Sequence, residues 1–275
     1  MGITFFTHYA LNQIDSGRFQ SPQEAFRHCK SIGIDYGDLL GRLDELPMQP
    51  HCQMLRDAGI EPAALIMRDD FASLTEKIRK TNLLLIREKI DSMYRAGIPM
   101  LMLAPNLERI DTKDKWKHSR DLLVSGFSLL LEYAKGSGIS VVMENQFRCD
   151  RPDARMADVR WILDCVPDLG YVLDSGNFCG VGENVLEAYA LLKDRMIHMH
   201  CKDWARRPDG EHLAENQTRY VGAQLGTGCV PLRELALAVK RDHYNGHFCF
   251  EHNSAFTGRE FDDSIQFLRT TFLQP

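Results

Sequence analysis

MIHMHCKDW, residues 196–204, begins as an apolar segment and ends in a histidine, a lysine and an aspartate. In an extended chain, successive side chains face opposite ways. If His200 points to one side, His198 goes with it, and Ile197, Met199 and Cys201 take the other. The stretch therefore reads as a strand that is core along its length and becomes site only at its carboxyl end.

The same design repeats outward in both directions. Upstream lie a helical stretch at Asn184–Lys193, a strand at Gly170–Asp174, a helix at Met156–Cys165 and a strand at Ser140–Glu144. Further back, strands at Ile3–His8, Tyr36–Leu39, Glu61–Met67 and Pro99–Leu103 alternate with helices at Pro22–Ile32, Gln49–Ala58, Leu74–Ala96 and Lys115–Lys135. Downstream come a helix at Pro231–Arg241, a strand at His247–Glu251 and a last helix at Asp262–Phe272. Ser21 is placed as an N-cap, and Gly33, Gly59 and Gly97 as stops. Strands alternating with helices imply a parallel sheet. Eight such units predict an α/β chain folded as a (β/α)8 TIM barrel, a single domain over residues 1–275. An open doubly wound sheet is the alternative, but no G-x-G-x-x-G follows the first strand.

Composition narrows the partners. The chain has 275 residues, 44% of them hydrophobic, which suffices for one well-buried core. A net charge of −5 disfavours a nucleic-acid backbone as partner. No apolar run approaches the ~20 residues that span a bilayer, and MGITFFTHYALNQ has no positively charged start, so it reads as a first strand rather than a signal peptide. None of the eight cysteines forms a C-x-x-C pair, which disfavours a zinc ribbon or a thioredoxin-like motif. Reduced thiols in a cytoplasmic protein are expected, with a small molecule as partner, no nucleic acid, no membrane, and a homo-oligomer allowed.

In such barrels the active site lies at the carboxyl ends of the strands. Here those ends carry His8, Asp38, Asn106, Glu144, Asp174, His200 and Glu251. If Glu144 faces inward, so does Val142; Val172 goes with Asp174 and Cys249 with Glu251. Four strands thus aim two glutamates, an aspartate and a histidine at one point. Three carboxylates buried together repel one another unless a cation is present. Oxygen-rich ligation with one imidazole suits Mn2+ or Mg2+, with Zn2+ or Co2+ as alternatives. The plainer reading is that each residue caps its strand or pairs with a lysine. His198, one layer deeper, reads as a hydrogen-bonded core histidine. Lys202 and Asp203 are candidates to pair with each other, and Trp204 either walls the pocket or simply packs.

VVMEN, LDSGNF, HMHCKDW, GTGCVPL and FEHN, in this order, resemble the xylose isomerase-like sugar isomerase and epimerase barrels. That family includes ketose 3-epimerases, hydroxypyruvate isomerase, inosose dehydratase and dehydroshikimate dehydratase. The resemblance implies metal ligands at Glu144, Asp174, His200 and Glu251. It implies a substrate-holding arginine at Arg206, with Arg207 as rival, and a loop shaping the mouth through Gly226, Gly228 and Pro231. One departure concerns D-x-x-H after the sixth strand, which here reads Asp174-Ser175-Gly176-Asn177. Asparagine hydrogen-bonds but cannot shuttle a proton. The extra histidines of the apurinic-site endonucleases of this fold are not evident.

The expected chemistry is removal of a proton beside a carbonyl, with a metal-stabilised enediolate. Glu144 and Glu251 are the candidate catalytic bases and acids; His8, Asn106, Asn177 and Arg206 are the candidate substrate contacts. Returning the proton to the other face of the same carbon gives epimerisation. Returning it to the neighbouring carbon gives isomerisation. Expelling a β-hydroxyl makes the enzyme a lyase, acting on an inosose, a 3-keto sugar or dehydroshikimate. A binding protein without turnover and a DNA-repair hydrolase are the remaining readings.

Overall fold

Alternation divides the strands into two faces. Phe6, Ala64, Ile66, Met100, Met102, Val142, Val172 and Cys249 form an inner cluster. Val141, Met143, Leu173, Met199, Phe248 and Phe250 pack outward into a larger core shared with the helices. A sheet whose inner faces meet only one another must close on itself. The computed structural model describes residues 1–41, 48–105, 107–253 and 258–274 and shows that closure.

The strands are β1 (Ile3–Phe5), β2 (Tyr36–Gly41), β3 (Glu61–Met67), β4 (Met100–Leu103), β5 (Ser140–Glu144), β6 (Gly170–Asp174), β7 (Met196–Cys201), β8 (Asp203–Arg206), β9 (His212–Leu213), β10 (Arg219–Ala223) and β11 (His247–Phe250). β1 to β7 and β11 run parallel, each beside its neighbour, with β11 between β7 and β1. A parallel bridge from Phe6 to Asp38 joins the two remaining edges. The register sets Asp174 and Cys249 on either side of His200. β8, β10 and β9 form a separate antiparallel sheet between β7 and the next helix.

The helices are α1 (His8–Asp15), α2 (Pro22–Ser31), α3 (Met48–Asp57), α4 (Glu76–Ala96), α5 (Lys113–Ala134), α6 (Met156–Cys165), α7 (Phe178–Val181), α8 (Val185–Leu192), α9 (Leu232–Arg241) and α10 (Arg259–Leu268). Their boundaries follow local chemistry. Ser21 accepts the Glu24 amide at the start of α2, and Gly97, at φ +70°, ends α4.

Two expectations are corrected. His8 does not end the first strand. β1 stops at Phe5, and His8 opens α1. The Thr7 amide donates to the Asp38 carbonyl at 3.0 Å, and the Tyr9 amide then turns back to Phe6 at 2.9 Å. The β8–β10 sheet, in turn, lies where no element was expected.

Candidate active site

Each of β5, β6, β7 and β11 delivers one polar side chain at its carboxyl end, from itself or the next residue. Glu144, Asp174, His200 and Glu251 each offer one atom, all within 4.8 Å of one another, and all four residues are buried. The inward parity expected of Val142, Val172 and Cys249 brings them there. His200 Nδ1 lies 2.5 Å from Glu144 Oε1 and 2.9 Å from Glu251 Oε2. The two glutamates thus reach the imidazole from different strands.

Lys202 enters the same cluster. Its Nζ donates to Asp174 Oδ2 at 2.6 Å and to Glu251 Oε1 at 2.7 Å. It also donates to Asn177 Oδ1 at 3.2 Å. Lys202 and Asp203 therefore do not pair with each other. Asp203 points the other way and collects backbone amides: Trp204, Gly226 and Gly228 at 2.9 Å, and Val230 at 3.1 Å. Gly228 is required there, because a Cβ would stand 2.2 Å from Asp203 Oδ1. The expected loop of Gly226, Gly228 and Pro231 is thus a cradle for one carboxylate.

Charge in the cluster follows from burial and neighbours. Burial disfavours the charged form of Asp174, and Glu251 and Glu144 add to this against Lys202, raising its pKa to about 7. Burial acts on Glu251 likewise, but Lys202 and His200 outweigh it and hold that carboxyl well below the usual range. Burial would lower His200, yet Glu144 and Glu251 raise it to about 10. Asp174 is further positioned by the Gly176 and Asn177 amides, which donate to its Oδ1 at 2.8 and 3.0 Å. Asn145 accepts the Asp174 amide at 2.9 Å and the Tyr171 hydroxyl at 2.7 Å. A donor set of three carboxylates and one imidazole, closely spaced and shielded from water, fits a single divalent ion.

Glu144, Lys202 and Glu251 of this cluster line a cavity of about 240 Å3, together with Arg68, Phe147, Arg148, Arg151, His212 and Asn253. A larger hollow of about 520 Å3 lies at the amino end of β5, among Ser140, Cys165 and Asp168, remote from these groups.

A family model of the xylose isomerase-like TIM barrel matches residues 26–271. This chain belongs to that family. Proteins of known structure superimpose over nearly its whole length. The zinc-bound IOLI protein does so with a TM-score of 0.73 at 17% identity, covering 98% of this chain and 96% of its own. D-allulose 3-epimerase from Methylomonas sp., in complex with D-allulose, gives 0.70 at 17%, covering 97% and 89%. A xylose isomerase-like TIM barrel protein from Mycobacterium smegmatis, in complex with magnesium, gives 0.68 at 16%, covering 91% and 87%. No curated protein sequence matches the chain.

The remaining candidates divide by position. Asn177, where many xylose isomerase-like barrels carry histidine, lines the cavity and donates its Nδ2 to the Asn145 carbonyl at 2.9 Å. His8 stands at the head of α1, where burial lowers its pKa to about 4, against the pull of Glu251 and together with Arg68. Arg206 is exposed on β8 and lines a different depression, with Cys179, Tyr220 and Cys229. Asn106 lies outside the described residues. His198 is the core histidine expected, its Nε2 2.8 Å from Asp38 Oδ2. Trp204 is fully buried and donates to the Gly176 carbonyl at 2.9 Å, so it packs beneath the β6 turn. Lys202, Arg68, Arg148 and Arg151 were missed. Parity alone could have found Lys202, two residues beyond His200 on the same face.

Proposed function

We propose that this protein is a metal-dependent isomerase or epimerase of a small sugar or keto-polyol, working in the cytoplasm on a hydroxy-carbonyl substrate. The observation that carries the proposal is the placement of Glu144 and Glu251, which reach one His200 nitrogen from two strands at 2.5 and 2.9 Å. In this reading Glu144, Asp174, His200 and Glu251 hold the ion, Mn2+ or Mg2+ by their donor chemistry, with zinc or cobalt as alternatives. A bound divalent ion supplies Lewis acidity, which polarises a carbonyl and lowers the cost of removing the proton on the neighbouring carbon. One glutamate takes that proton and the other returns one. Lys202 holds Asp174 and Glu251 in place and keeps Glu251 anionic. The walls from Arg68 to His212 exclude water and orient the hydroxyl groups, with Asn177 contributing a hydrogen bond.

A lyase reading shares the first step and is favoured by one feature. The Lys202 ammonium lies at the cavity floor, where a departing hydroxyl would need a proton. The test is incubation of the Mn2+-loaded protein with a panel of ketoses in deuterated water. Deuterium in the recovered sugar, with epimer or aldose formed, supports the isomerase; loss of water supports the lyase. No exchange with any ketose, inosose or keto acid sinks both.

A further inference from the structure

The β6 turn and the loop before α9 each carry a cysteine that the proposed sugar chemistry does not use. Cys179 sits in α7, five residues beyond Asp174. Cys229 sits between Gly228 and Val230, whose amides are bound by Asp203, and its own amide donates to the Trp204 carbonyl at 2.7 Å. Its thiol is therefore carried on a fixed backbone. Cys179, Cys229 and Arg206 line the same depression, where the two thiols interact electrostatically with each other and Cys229 with the Arg206 guanidinium. Arg206 stands opposite Tyr220, its cross-strand partner on β10. All four line one depression of about 370 Å3 that opens to solvent.

We propose that Cys179 and Cys229 are a peroxide-oxidisable dithiol that closes to a disulfide, a modification site separate from the carboxylate cluster. Interaction with the Cys179 thiol, opposed by burial and aided by Arg206, lowers the Cys229 pKa to about 7, so much of it is thiolate at neutral pH. Cys229 is the more exposed of the two thiols and shares its depression with Arg206, which makes it the nucleophile. Its thiolate attacks one oxygen of hydrogen peroxide. The S–O bond forms, the O–O bond breaks, and the hydroxide released takes a proton to become water. Cys179 then attacks the sulfenic sulfur. The S–S bond forms, the S–O bond breaks, and hydroxide leaves with the Cys179 proton as a second water. Two thiols lose two electrons and one peroxide is reduced to two waters. The product ties the turn bearing Asn177 to the loop that cradles Asp203.

Cys149 and Cys165 are also exposed and serve as internal controls. Reduced wild-type protein is given one equivalent of hydrogen peroxide at pH 7, quenched with N-ethylmaleimide and mapped by peptide mass spectrometry. A Cys179–Cys229 disulfide is expected to form about tenfold faster than Cys149 or Cys165 is oxidised. Alkylation of Cys179 and Cys229 with oxidation elsewhere, or equal rates at all exposed thiols, overturns the proposal. Cys179→Ser is expected to stop at a dimedone-reactive sulfenic acid on Cys229. The wild-type comparison stands whether or not that variant folds, and it needs no sugar turnover.

Discussion

Lys202 Nζ and Glu251 Oε1 lie 2.7 Å apart, both almost fully buried, joining residues 49 positions apart in the chain. The ammonium compensates two carboxylates from strands on either side of β7. Replacing Lys202 by Met removes that charge and leaves Asp174 and Glu251 facing each other. Breaking a buried pair from one side costs about 3–5 kcal/mol. Thermal unfolding in chelator should show that loss. Added Mn2+ should raise the melting temperature of the variant more than that of wild type, because the cation restores the missing charge. An equal gain in both proteins would show that Lys202 and the ion do not share the carboxylates.

Glu144→Gln and Glu251→Gln keep shape and remove the base. Each is expected to reduce interconversion of the epimers by about 10²–10⁴-fold. If both glutamates act, each on one face of the substrate, one variant should still exchange a proton from one epimer while failing to interconvert the two. NMR of each epimer in deuterated water distinguishes this from a single-base mechanism, in which one variant stays near wild type.

Asp203 accepts four backbone amides. Asp203→Asn turns an NH2 toward at least one of them, at a cost of about 1–3 kcal/mol. Gly228→Ala pushes a methyl group against the same carboxylate. Both variants should speed amide exchange at residues 226–230, read by deuterium uptake. Unchanged protection there would mean that the loop holds without its anchor.

His247 lies at the amino end of β11, where burial, His198 and the N-terminal amine lower its pKa to about 4. In the unfolded chain a histidine titrates near 6.5. The unfolded state therefore binds more protons between these values, and stability falls as pH drops from about 6.5 to 4. His247→Gln should flatten that slope by about 1–2 kcal/mol, less than the full shift implies because the ring is partly solvated. Urea unfolding at pH 4.5 and 7 measures it. An unchanged slope would assign the acid sensitivity to other groups.

The barrel was legible because its signal is periodic. Val142 beneath Glu144, Val172 beneath Asp174 and Cys249 beneath Glu251 follow from strand geometry alone, and convergence of the four polar groups follows from closure. Lys202 was misjudged because Asp203 offered a partner one residue away, whereas its real partners, Asp174 and Glu251, are close only after folding. His8 follows two phenylalanines and a threonine and so reads as strand. Its helix begins because a long-range amide bond from Thr7 to Asp38 stops the extended run. The β8–β10 sheet pairs short segments whose alternation is too brief to register. On β8, Arg206 lines the depression beside Cys229.

The two ends of the excursion from β7 to α9 are joined through Asp203, yet His212, between those ends, forms part of the cavity wall. The fastening point and the wall are different stretches of chain. Residues 207–219 lean on the turn after β6, where the Glu215 amide donates to the Gly180 carbonyl at 2.9 Å, so a change of sequence there would reshape the wall through His212, and a barrel built this way can acquire a new clientele by replacing its awning rather than its foundation.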